Sequence, residues 1–139
     1  MITVSYDHEL AYAHEPNGDR SPQLTFRVSN PGHPSEAIDV DTYLDSGAQR
    51  SLLSGWIGKV LGIDILSGDK KTYQSTAGSG IDATHHAVRL EHPDLGSFEL
   101  EVGFTLGEIR RNLLGRDFFD LIQLGFRERQ LTFYVTARP

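Results

Sequence analysis

The segment QLTFRVSNPGHPSEAIDVDTYLD, residues 23 to 45, constrains the fold more than any other part of the chain. Leu24, Phe26 and Val28 recur with a period of two. The alternation resumes through Ile38, Val40, Thr42 and Leu44, with Asp39, Asp41 and Tyr43 opposite. Side chains alternate faces along a strand, so this spacing predicts two strands, each with one buried face. Between them NPGHPS breaks the run, because proline fixes φ and glycine admits tight turns.

The same grammar runs along the chain. MITVSYD is β-rich, with Ile2, Val4 and Tyr6 on one face. HEPNGDRSP, His14 to Pro22, is rich in turn residues, and its Asn-Gly is a hairpin signal. KTYQSTAGSGIDATHHAVRL reads as two strand-like arms flanking AGSG, a long hairpin with a mobile tip. GSFELEVGFTL alternates through Phe98, Leu100 and Val102, and RQLTFYVTA through Leu131, Phe133 and Val135. Helix is scarce. SLLSGWIGKVLGI, with glycines at 55, 58 and 62, predicts a strand end followed by a short helical turn. RDFFDLIQLG is the best helix candidate, with Phe118, Phe119, Leu121 and Ile122 as its apolar face and Gly125 at its stop. Short strands broken by turn signals predict an all-β domain, a closed β-barrel or a sandwich. No repeat or linker divides residues 1–139, so one domain is expected, and a chain this long buries roughly two thirds of its unfolded surface.

Composition excludes several classes. A net charge of −6 without a basic stripe argues against nucleic acid as a partner. No apolar run is long enough to cross a membrane, and the N-terminus lacks the basic and apolar regions of a signal peptide, so a cytoplasmic protein is expected. There is no cysteine, hence no disulfide and no thiolate chemistry.

The chemistry centres on TYLDSGAQRSL, Thr42 to Leu52. In isolation Asp-Ser-Gly is a turn: Asp and Ser bond to nearby backbone and Gly accepts positive φ. Context alters this. Tyr43 and Leu44 lead into Asp45, so a strand delivers the carboxylate to a rigid, half-buried position. Ala48 follows Gly47, and small residues let another backbone approach. A matching element, NLLGRDFFD, Asn112 to Asp120, lies far downstream.

These two motifs, YLDSGA and LLGRD, in this order and with a glycine-bearing hairpin between them, resemble the signature of the retropepsin-like aspartic proteases over residues 22 to 136. That single-domain class includes the retroviral proteases and their cellular and bacterial relatives. The resemblance implies a closed β-barrel of the retropepsin type with one short helix near the C-terminus. It implies that Asp45 is the catalytic carboxylate, that the Ser46 hydroxyl braces two active-site loops, and that Gly47 and Ala48 leave room for backbone. Leu113, Leu114, Gly115, Arg116 and Asp117 would support the Asp45 loop from behind, and Ala77, Gly78, Ser79 and Gly80 would form a flap over bound peptide. There is a departure: retroviral members often carry an acid where Gln49 stands, paired with the arginine of the second motif, so Arg116 lacks that partner.

Physical reasoning converges on the same chemistry. Two carboxylates close enough to share one proton titrate at split values, so one takes a proton from water while the other donates to the carbonyl under attack. No metal or cofactor is required. Asp-Ser-Gly occurs once here, so one chain supplies half a site, and a two-fold homodimer acting on a peptide or protein substrate completes it. The alternative is a non-catalytic dimerisation or peptide-binding module on the same fold.

Other features carry less. STAGSGIDA lacks the Gly-Lys-Ser/Thr ending of a phosphate loop. The six histidines show no zinc spacing, and His85 and His86 should point to opposite faces of a strand. Ser46 has no Gly-x-Ser-x-Gly elbow. Trp56 is expected in the core or at its rim, and Arg110-Arg111 in an exposed loop, with contact to the dimer partner as the alternative.

Overall fold

A computed structural model describes residues 1–74 and 78–137. Strands dominate. A first group comprises β1 (His8–Ala11), β2 (Ala13–His14), β3 (Arg20–Ser21), β4 (Gln23–Asn30), β5 (His33–Leu44) and β6 (Leu52–Ser54). A short helix, α1 (Gly55–Val60), leads to the hairpin β7 (Asp69–Gln74) and β8 (Gly80–His92), then β9 (Gly96–Thr105) and β10 (Asn112–Leu114). A four-residue helix, α2 (Arg116–Phe119), precedes β11 (Gln123–Arg127) and β12 (Thr132–Thr136).

The seven-stranded sheet runs β4-β5-β10-β6-β9-β8-β7, and β4 also pairs with β8. The alternating runs bury the face that their period implies: Leu24, Phe26 and Val28 on β4, and Val40, Thr42 and Leu44 on β5, are buried. Phe26, Phe98 and Phe118 meet edge to face, with ring centroids 5.2 to 6.2 Å apart. Edge contacts of this kind add roughly 0.5–1.5 kcal/mol per pair beyond area burial.

A second, antiparallel sheet has the order β1-β12-β11. Two expectations are corrected beside it. Residues 1–6 form no strand despite their alternation, and Ile2 and Val4 are exposed. The segment is held by side chains instead: the Ser5 carbonyl accepts from Gln123 Nε2 at 2.7 Å, and the Tyr6 ring lies 5.7 Å from that of Tyr134. The helix expected over RDFFDLIQLG stops after one turn. Phe118 and Ile122 reach the core, but Gly125 lies within β11 opposite Tyr134 and stops no helix. Pairing with β12 overrides the local helical pattern. Gly125 has a different reason: a Cβ there would sit 2.6 Å from the Tyr6 hydroxyl.

Trp56 is not a core residue. It projects from α1 at 59% exposure. Leu131 does not align with Phe133 and Val135; it adopts a left-handed conformation (φ 51°) ahead of β12.

Candidate active site

The β5 strand ends at Leu44, and the next backbone N–H, that of Asp45, donates to the Leu114 carbonyl at 2.9 Å. β10 runs parallel to β5, with Leu113 beside Tyr43 and Leu114 beside Leu44, and it separates β5 from β6. The chain therefore leaves β5, turns through residues 45 to 51, and returns as β6 on the far side of β10. Asp45 stands at the start of this turn, half-buried, while Ser46 and Gly47 are exposed. Its Oδ1 accepts the Gly47 N–H at 2.8 Å, and its carbonyl accepts from Ala48 at 3.2 Å. The turn reading and the carboxylate reading thus hold together. One oxygen fixes the side chain, and Oδ2 takes no hydrogen bond from the described residues.

Behind the turn, backbone meets backbone. A Cβ on Gly115 would lie 2.6 Å from the Ala48 carbonyl oxygen and 3.0 Å from that of Arg50, so only glycine fits without displacement. Arg116 N–H donates to the Ala48 carbonyl at 2.9 Å. The Gly115 N–H donates to Ser51 Oγ, which donates in turn to Asp117 Oδ1 at 2.7 Å. Asp117 Oδ2 accepts the Ser51 N–H at 3.0 Å. Arg50 Nε lies 3.8 Å from the same carboxylate, and its Nη2 lies 3.4 Å from Glu101. Arg116 is exposed and makes no ion pair with the described residues. In this corner the cation, Arg50, belongs to the first loop and the acid, Asp117, to the second motif.

Asp45 and Ser46 line a cleft of about 480 Å³ together with Tyr12, Tyr43, Glu15 and Arg111. The β2–β3 hairpin, which carries Gly18 at φ 89°, forms one wall, as its Asn-Gly implies. Arg111 is not an exposed loop residue. Its guanidinium lies 4.2 Å from the centre of the Tyr43 ring, and Nη1 donates to Glu15 Oε1 at 2.9 Å. The Tyr12 hydroxyl donates to Glu128 Oε2 at 2.5 Å. Burial pushes the Tyr12 phenol up to about 12, and the bond to Glu128 adds to the shift. Tyr12, Glu15 and Ser51 carry no motif; alternation could have marked Tyr12 as a wall residue, but nothing in the sequence links Glu15 to Arg111, 96 positions away.

The β7–β8 ladder runs from Asp69 opposite His85 to Gln74 opposite Gly80. At its tip Gly78 has φ 84° with open space around it; Ala77 lies outside the described residues. Thr72 Oγ1 donates to Asp82, and Lys70 lies 3.6 Å from the same carboxylate; both hold Asp82 below the usual carboxylate range, the Thr72 bond more strongly. At the root His85 is buried, its Nδ1 3.0 Å from the Asp69 carbonyl and its Nε2 2.6 Å from the Tyr73 hydroxyl. A carbonyl only accepts, so Nδ1 carries a proton. His86, on the other face, rests against Phe104. Among the described residues no three His, Asp or Glu side chains converge as a metal site does, and no helix is long and apolar enough to cross a membrane.

Solved structures resemble this one. A retropepsin-like aspartic protease from Rickettsia conorii superposes with a TM-score of 0.65 at 18% identity, over 99% of this chain and 99% of that one. The EIAV protease, solved with the inhibitor HBY-793, superposes with a TM-score of 0.55 at 18% identity, over 77% of this chain and 93% of that one. No family model matches the sequence, and no curated protein matches it. The chain has the fold of the retropepsin-like aspartic proteases.

Proposed function

We propose that this chain is an aspartic endopeptidase whose active site forms when two copies bring their Asp45 carboxylates together on a two-fold axis. The observation that carries the reading is the state of Asp45. One oxygen is fixed by Gly47, the other takes no hydrogen bond from the described residues, and the residue lines a cleft. A single such group activates water poorly. Two that share a proton act as general base and general acid in one step. The deprotonated member takes a proton from water as the water oxygen bonds to the peptide carbonyl carbon. The protonated member donates to the carbonyl oxygen. As the C–N bond of the resulting diol breaks, the carboxyl that took the water proton gives it to the leaving nitrogen. The other carboxylate takes a hydroxyl proton back, which leaves amine, carboxylic acid and the original shared proton.

The fold supplies rigidity for this. Leu113, Leu114 and Gly115 back the turn, and Asp117 ties it to Ser51. We read the β4–β8 pairing as closing the larger sheet into a small barrel, so the turn is carried on a stiff frame. Ser46, exposed and without a hydrogen bond to the described residues, is free to brace the partner's loop. Residues 78–80 belong to a flap that closes over an extended peptide.

The test is cleavage of a diverse peptide library by wild type and by Asp45→Asn, from about pH 3 to pH 7, the range over which a carboxylate pair loses its shared proton. Wild type should cut best at acid to mildly acid pH, and Asp45→Asn should fold yet lose cleavage almost completely. Equal rates for the two proteins overturn the assignment of Asp45. Silence of both favours a peptide-binding module without catalysis.

A further inference from the structure

We propose that Arg111 is a specificity-determining residue that selects an acidic side chain, Glu or Asp, within two residues of the bond that is cut. The inference rests on the peptidase reading and deepens it. Arg111 and Asp45 line the same cleft. The guanidinium covers Tyr43, two residues before Asp45, or about 7 Å along a strand. An extended peptide centred on Asp45 repeats its side-chain direction over that same distance.

Charge alone does not decide the sign, because the cleft also holds Glu15, Asp19 and Glu128, and a second cation, Arg20. Hydrogen-bonding capacity does. Each acid is already engaged: Glu15 by Arg111, Asp19 by Asn17, Glu128 by Tyr12. Arg111 uses one donor of five, through Nη1 alone. Stacking on Tyr43 orients the planar fork and leaves its edges to accept a carboxylate in bidentate fashion. Its partly buried position raises the worth of such a pair above that of a solvent-exposed one. Two-fold symmetry brings one Arg111 to each side of the scissile bond, so the preference should occur on both.

The experiment uses peptides that differ only by Glu or Gln at each of the two positions on either side of the cut. It is run at about pH 5.5, where a glutamate of ordinary pKa about 4.3 is ionised. Wild type should favour the Glu member by about tenfold in kcat/KM, the size of one charge-assisted contact. Arg111→Leu should abolish that ratio. Glu15→Gln should enlarge it, because it frees the guanidinium; a merely structural Arg111–Glu15 tie would predict no gain. Equal rates for Glu and Gln in wild type, or a ratio unchanged in Arg111→Leu, overturn the proposal. If no peptide is cut, NMR titration of Asp45→Asn with the same peptides separates the two readings. A shift of the Arg111 Nε–H signal with Glu but not Gln peptides supports the role of Arg111 and sinks the peptidase; no shift with either sinks both.

Discussion

Replacing Asp117 by alanine tests how the Asp45 turn is held. Ser51 is fully buried, and its N–H and hydroxyl both donate to the Asp117 carboxylate, at 3.0 and 2.7 Å. Alanine leaves both donors without an acceptor, and each buried unpaired donor costs about 1–3 kcal/mol. The Phe118 N–H also loses Asp117, but the Gly115 carbonyl already accepts from it at 3.0 Å. The Arg50 contact, longer at 3.8 Å, adds a few tenths at most. The sum is about 2–6 kcal/mol with a centre near 4, a large share of the 5–15 kcal/mol typical of a domain. At roughly 3 °C per kcal/mol for a chain of this size, Tm should fall by about 10 °C. Asparagine keeps one acceptor oxygen and should cost about half as much. Urea unfolding at constant m-value gives the free energies, and thermal melts the shift. A loss below about 1 kcal/mol for Asp117→Ala, or equal losses for alanine and asparagine, would refute the reasoning.

Gly115→Ala should destabilise by at least about 2 kcal/mol, because its Cβ meets carbonyl groups of Ala48 and Arg50 rather than a movable side chain. Gly107→Ala, with open space around it, should change stability by no more than about 0.5 kcal/mol in the same urea assay. His92 responds to pH. Burial lowers its pKa below the ordinary 6.5, outweighing the opposing pull of Asp94. Its Nδ1 accepts the Asp94 N–H at 3.1 Å, a role open only to the neutral ring. A depressed folded-state pKa means that its contribution is complete above 6.5 and declines as pH falls below that value. The drop in Tm from neutral to mildly acid pH should therefore be smaller in His92→Gln than in wild type; an identical drop would remove His92 from the account.

What was legible in the sequence was what one-sided burial writes there. On β4 and β5 every second residue faces the core, so Phe26 and Val40 disclosed their own positions. The turn at Asp45 was legible because a turn demands particular residue types, whereas Gly115 entered only through the resemblance of LLGRD. The arm around Ile2 and Val4 misled, since β-propensity reflects packing context rather than an intrinsic backbone preference, and these two side chains stay exposed. Phe118, Phe119, Leu121 and Ile122 fit a helical face, yet the two-stranded pairing that ends the helix depends on Tyr134 and Phe133 downstream. Charge partners were the least legible. Arg50–Asp117 and Arg111–Glu15 join residues 67 and 96 positions apart, and only the fold decides which cation meets which acid.

The central claim, that each site takes one Asp45 from each of two chains, is tested most directly by dosage. Wild-type and Asp45→Asn chains would be mixed in varied ratio and allowed to exchange subunits, with total protein held constant and peptide cleavage measured. Random pairing with both carboxylates required makes activity follow the square of the wild-type fraction, so an equal mixture retains about a quarter. Activity that falls in proportion to the wild-type fraction, to about half in the equal mixture, would mean that one chain suffices and would contradict the account.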